Sequence, residues 1–256
     1  MNRINKLFQE KPSNILSIYY TAGFPELGDT LLIAEELERA GADMLEIGFP
    51  YSDPVADGPV IQASSKQALE NGMDLKTLFG QLKDLRSRIN IPILLMGYVN
   101  PMLQFGVENF CKACAEVGVD GCIVPDLPMA EYEEHYQEIF KQYSLSNIFL
   151  VTPQTSGERI RKIDELSTGF VYLISSSATT GKNLQVSQNT EDYFARIAGM
   201  KLRNPTMIGF GINNKATFDK ACQFANGAII GTAFVNVLSE DKSAAGIQKF
   251  MKSISE

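Results

Sequence analysis

Apolar residues along this chain alternate between two patterns. Short runs rich in β-branched residues recur between longer stretches whose apolar positions repeat every three to four residues, the layout of parallel strands joined by crossover helices. Eight short runs predict strands at 15–21, 44–48, 93–97, 121–124, 147–151, 170–174, 206–209 and 228–231. Helical patterns follow at 30–40, 109–117, 130–143, 158–166, 191–199 and 215–224, and the second unit carries two, at 61–70 and 75–89. Eight strand–helix units in a chain of 256 residues match the count and size of a closed (β/α)8 barrel. The expected fold is therefore α/β, a single barrel domain over residues 1–256 with an extra helix in its second unit. An open doubly wound sheet would carry a glycine fingerprint at the first turn. That turn reads Thr21-Ala22-Gly23-Phe24-Pro25, which is not G-x-G-x-x-G.

Composition narrows the partners. With 45 % hydrophobic residues the chain can bury a full core, and a net charge of −7 argues against a broad surface for nucleic acid or anionic membrane. Any bound phosphate has to be held locally. The first ten residues carry charges too closely spaced for a secretion signal, and no apolar run approaches the roughly 20 residues that cross a bilayer. Four scattered cysteines do not make a disulfide scaffold and fit a reducing, cytoplasmic setting. Cys111 and Cys114 form a C-x-x-C inside a helical pattern, with no second pair to complete a zinc site, so no metal is expected.

The chemistry concentrates between Leu45 and Pro59, in Leu-Glu-Ile-Gly-Phe-Pro-Tyr-Ser-Asp-Pro-Val-Ala-Asp-Gly-Pro. Glu46 lies between Leu45 and Ile47, so the two-residue period of a strand sends it to the opposite face from both. In a barrel that face is a closed interior. A carboxyl group there loses water, and its pKa rises toward the range where it can give and take a proton near neutrality. Asp57, in a loop bounded by Pro and Gly, is expected to stay ionised. Two carboxylates in unlike environments can divide acid and electrostatic roles. From the residues alone a second reading stands beside this one: Glu46 as a core acid paired with Arg or Lys, and Asp57 as a turn-former before Gly58.

Other residues at the predicted strand ends describe an anion site. After the sixth strand comes Ser-Ser-Ser-Ala-Thr-Thr-Gly-Lys, after the seventh Gly209-Phe-Gly211, and after the eighth Gly231-Thr232. Small residues let backbone N–H groups approach a phosphate, and a helix N-terminus adds its positive dipole end. Exclusion sharpens the picture, because the one histidine, His135, lies within a helical pattern and no predicted strand contains lysine. A Ser-His-Asp hydrolase and a strand-borne Schiff-base aldolase are both disfavoured, although Lys182 sits on a loop. A phosphorylated substrate cleaved without metal or imine must carry its own electron sink. An indole ring serves once its carbon is protonated.

From Lys6-Leu7-Phe8 to the C-terminal helix the chain resembles the tryptophan synthase alpha subunit, most specifically through the segment from Leu45 to Pro59. The resemblance implies a TIM barrel that cleaves indole-3-glycerol phosphate to indole and glyceraldehyde 3-phosphate, with Glu46 and Asp57 at the catalytic positions. It places Tyr19, Met96, Ile123, Tyr172 and Thr180 at substrate positions, and Gly181, Gly211, Gly231 and Thr232 at phosphate positions. It also implies a beta subunit, in an alpha2beta2 complex, that uses pyridoxal phosphate, with no cofactor in this chain. Pro50, Asp53, Asn100, Pro101, Asp126 and Pro128 resemble surface positions of that contact. Two departures stand out. Ser176-Ser177-Ala178 replaces an Arg-x-Gly common among relatives, and Thr232 replaces a serine.

Overall fold

The computed structural model describes residues 2–174, 188–209 and 211–255. Strand β1 (Ile15–Thr21) alternates between two packed faces. Leu16, Ile18 and Tyr20 join the apolar layer between sheet and helices, while Ile15 points into a second cluster inside the barrel. The remaining strands are β2 (Met44–Gly48), β3 (Ile93–Met96), β4 (Gly121–Ile123), β5 (Ser146–Ile148), β6 (Leu150–Val151), β7 (Val171–Ile174), β8 (Thr206–Gly209) and β9 (Gly227–Ile230). Every pairing is parallel, in the order β5-β4-β3-β2-β1-β9-β8-β7-β6.

The run expected as one fifth strand is two short strands flanking Phe149. β5 pairs with β4, β6 pairs with β7, and the Phe149 carbonyl accepts from the Tyr172 N–H at 3.0 Å. The two ends of the sheet are thus joined by a single residue, and the ring closes through the chain itself. Closure removes the open edges that a flat sheet would expose. The fold is a single-domain α/β barrel, as expected.

Helices start where polar side chains take up their free N–H groups. Asp74 accepts from Thr77 at 2.7 Å ahead of the helix Leu75–Gln81, and Asn214 accepts from Thr217 at 3.0 Å ahead of Lys215–Cys222. The second unit carries Pro59–Glu70 and then Leu75–Gln81, which runs through a tight turn into Leu85–Arg88. Three helices outside the expected set also form, Arg3–Glu10, Val99–Phe105 and Thr232–Glu240, and the C-terminal helix spans Ala244–Ser255.

The first of these closes the bottom of the barrel. Ile4 is fully buried in the interior cluster, Leu7 and Phe8 pack against it, and the Phe8 ring lies 6.0 Å from that of Phe170. Polar bonds tie the same helix down. Asn2 donates to the Asp120 carbonyl at 2.6 Å, and Arg3 pairs with the Asp120 carboxylate at 3.1 Å.

Asp120, just ahead of β4, is the polar knot of this floor. Its carboxylate also accepts from Arg86 at 2.5 Å and from the Ile93 N–H at 2.9 Å, while Arg86 donates to the carbonyls of Gly118, Ile89 and Ile91. Removing one member of a buried pair strands the other charge, at a cost of about 3 kcal/mol. Asp120→Ala is therefore expected to destabilise the fold by that order, measured by denaturant unfolding, whereas Lys66→Ala, in an exposed pair with Glu70, changes stability by less than about 0.5 kcal/mol.

Candidate active site

The interior face of the sheet is largely apolar: Met44, Leu94, Ile148, Met207 and Ile229 line it, and Met96, Ile123, Tyr172 and Ile174 belong to the same cluster. Glu46 stands among them because β2 alternates as its sequence suggests, with Leu45 and Ile47 turned to the helices. It is 0 % exposed.

Among the described residues Glu46 takes no part in an ion pair, which removes the reading of it as a core acid paired with Arg or Lys. Its one hydrogen-bond partner is the Ser17 hydroxyl, which donates to Oε1 at 3.0 Å, while Oε2 is buried without any partner. Burial pushes the carboxyl up to about 8, against the opposing effect of the Ser17 bond.

Two tyrosines flank it. Tyr19 is in register with Glu46 across the β1–β2 pair. Its ring lies against Gly48, where any side chain would collide with it, and close to Gly231. Tyr172 lies across Gly209 in the same way. These glycines give the two rings room to cross the barrel mouth. Burial and the neighbouring carboxylates raise both phenols well above the usual tyrosine range, so they stay neutral.

Asp57 sits half-buried on the loop after β2 and accepts from the Tyr98 hydroxyl at 3.0 Å. That hydroxyl in turn accepts from the Ala56 N–H at 3.0 Å, so Tyr98 holds the loop by its backbone and its carboxylate together. Desolvation pushes Asp57 up to about 6, opposed by the Tyr98 bond, which leaves it ionised at neutral pH. The two acids are thus separated in pKa by their surroundings, the condition for dividing acid and electrostatic work.

Gly211 follows β8 with φ +78°, and Gly231 follows the adjacent β9. Thr232 opens the helix Thr232–Glu240, whose first turn has no acidic residue and no side-chain cap. Thr180, Gly181 and Lys182, with Ser176-Ser177-Ala178, lie outside the described residues. On the rim, Asp53, Asn100, Asp126 and Pro128 are exposed and Pro101 is half-buried. Pro50 is not a surface position. It is buried, because it follows Phe49 directly at the strand end, before the chain emerges onto the loop. Asn100 donates to the Tyr51 hydroxyl at 3.2 Å, and Asp126 accepts from the Val99 N–H at 2.8 Å.

Ser17 and Tyr98 were missed from the sequence. Ser17 interrupts an apolar strand two residues before Tyr19, on the same face, and Tyr98 follows Gly97 at the end of β3. Each was a findable signal only once the strand register was known. Among the described residues no cluster of His, Cys, Asp and Glu could hold a metal ion, and no helix is long and apolar enough to cross a membrane.

Comparison with known proteins agrees with this architecture. The family model described as "Tryptophan synthase alpha chain" matches residues 5–255. A curated tryptophan synthase alpha chain from Flavobacterium psychrophilum is 56 % identical over 254 residues, covering 99 % of this chain and 100 % of that protein. The crystal structure of tryptophan synthase subunit alpha from Legionella pneumophila superposes with a TM-score of 0.89 at 30 % identity, covering 99 % of this chain and 97 % of the other. A Mycobacterium tuberculosis tryptophan synthase structure gives 0.90 at 27 % identity, with 99 % and 97 % covered. A parallel barrel with an acid sealed in its wall, matched over nearly its whole length, belongs to the tryptophan synthase alpha chain family, lyases of tryptophan biosynthesis that cleave indole-3-glycerol phosphate.

Proposed function

We propose that Glu46 and Asp57 carry this cleavage. The observation that supports it is the unpaired, fully buried Glu46 carboxyl, protonated at neutral pH and facing the same interior as Tyr19, Tyr172, Met96 and Ile123. Glu46 gives its proton to the ring carbon that bears the glycerol chain. The positive charge that develops on the indole nitrogen is stabilised by ionised Asp57, which accepts the N–H hydrogen bond. Glu46, now a carboxylate, takes the proton of the hydroxyl next to the ring. The carbon–carbon bond breaks, its electron pair returns to the ring, and the hydroxyl carbon becomes the aldehyde of glyceraldehyde 3-phosphate. The proton count closes with Glu46 as it began.

The apolar side chains Met96 and Ile123 suit the indole face, and Tyr19 and Tyr172 border it. The phosphate is assigned to the backbone N–H groups around Gly181, Gly211, Gly231 and Thr232, and Thr180 is assigned to the substrate. An uncapped helix start without acidic residues supports that assignment, since neutral amides let an acidic protein hold an anion. We read residues 1–256 as one barrel domain acting in the cytoplasm.

The released indole passes to a beta subunit in an alpha2beta2 complex, whose pyridoxal phosphate would supply the chemistry for joining it to serine. This chain needs no cofactor of its own. The contact is assigned to the rim formed by Asp53, Asn100, Pro101, Asp126 and Pro128, with buried Pro50 supporting the first loop from below. Two apolar side chains on the same rim favour it, Val55 at 82 % and Leu103 at 46 % exposure.

Three outcomes test this reading. Glu46→Gln is expected to lower the rate of indole release by at least ~100-fold, and near-wild-type turnover would end the assignment. The pH profile of kcat is expected to be bell-shaped. It rises through about 6 as Asp57 ionises and falls through about 8 as the protonated form of Glu46 is lost. Val55→Asp together with Leu103→Asp is expected to weaken association with a beta subunit by about tenfold or more in titration calorimetry, while leaving the isolated chain's indole release intact.

A further inference from the structure

We propose that Ser17 is a positioning residue for the lyase reaction: its hydroxyl fixes the Glu46 carboxyl and reserves Oε2 as the oxygen that delivers and recovers the proton. This rests on the reading of Glu46 as the proton donor. Ser17 and Glu46 occupy neighbouring strands, with Ser17 opposite Met44 and Tyr19 opposite Glu46, so the serine lies one pair deeper on the same interior face. Both residues are 0 % exposed. The hydroxyl donates to Oε1 at 3.0 Å, and Oε2 meets no partner.

A protonated carboxyl group has one oxygen that only accepts and one that carries hydrogen. A donor seated on Oε1 makes that oxygen the acceptor, which leaves the proton on Oε2. Rotation about the last torsion of a glutamate is broad and nearly two-fold, so without a partner either oxygen could face the substrate. Ser17 removes that ambiguity. When the proton leaves, the bond from Ser17 becomes charge-assisted and strengthens, so it favours the state in which Glu46 has just acted. Among the described residues the titratable groups that face Glu46 are Tyr19 on β1 and Tyr172 on β7, and both phenols stay neutral. Ser17 is therefore the one described side chain that stabilises the Glu46 carboxylate by direct hydrogen bonding.

The test compares Ser17→Ala, Ser17→Cys and Glu46→Gln in the full-length chain, folding being checked by circular dichroism. Indole-3-glycerol phosphate turnover is followed against pH, and the Glu46 carboxyl is titrated directly by carbon-13 NMR of glutamate-labelled protein, the Glu46→Gln spectrum giving the assignment. Ser17→Ala is expected to lower kcat about tenfold with KM within about twofold. Because the lost bond favoured the ionised form, both the NMR titration and the alkaline limb of kcat move upward by about one pH unit. Ser17→Cys, close in size with a weaker donor, falls between. An unmoved Glu46 titration in Ser17→Ala overturns the inference, whether kcat is unchanged or reduced, since a reduced rate alone records packing. Glu46→Gln that still releases indole overturns the functional reading and this inference with it. Glu46→Gln that is inactive while Ser17→Ala matches wild type in rate and titration overturns this inference alone.

Discussion

Closing a parallel sheet on itself carries Glu46 out of water, and among the described residues a single hydroxyl supplies the one hydrogen bond it receives there. Transfer of an ionised carboxylate into such surroundings is costly enough that the group takes up a proton instead. The acid at the centre of the site is thus a consequence of closure. It needs no cationic neighbour to tune it, and an Arg or Lys at its side would undo the effect by restoring the charge. The floor helix, the glycines beside the two tyrosines and the single-residue joint at Phe149 all serve to keep that interior shut and narrow.

Asp57 shows the opposite solution to the same problem. It lies on a loop, half-exposed, and its shift is smaller because Tyr98 donates to it. Tyr98 is itself anchored at the end of β3 and packs at a tilt against Tyr51, their ring centroids 5.3 Å apart. Tyr51 receives a bond from Asn100, and Asp126 caps the chain at Val99. The loops after β2, β3 and β4 are therefore cross-braced. Asp57 is positioned by three strands, although only one of them supplies it.

Some of this was open to reading from the sequence. The alternation Leu45-Glu46-Ile47 assigns the glutamate to the interior because a strand has a period of two, and no tertiary information is needed for that step. Gly48, Gly209 and Gly231 mark strand ends because glycine is a local turn signal. The break at Phe149 was not visible, since 147–151 is a continuous strand-like run without Gly or Pro, and the division follows from which neighbours each half pairs with. The floor helix leaves little trace in the pattern because Ile4, Leu7 and Phe8 are three apolar positions in a short charged segment. Ser17 and Tyr98 look like unremarkable residues of apolar strands until the register places one beneath Glu46 and the loop brings Asp57 to the other. Pro50 resembles a surface position in sequence because Ser52 and Asp53 beside it are exposed, but it lies buried at its strand end.

The floor built by Ile4, Leu7, Phe8 and Phe170 has a consequence for traffic. Among the described residues it closes the amino-terminal end of the chamber, so the carboxyl ends of the strands are the side facing outward. What enters or leaves by that side passes the braced loops. A protein seated on that rim would govern arrival and departure at once, with no need to touch a reacting atom.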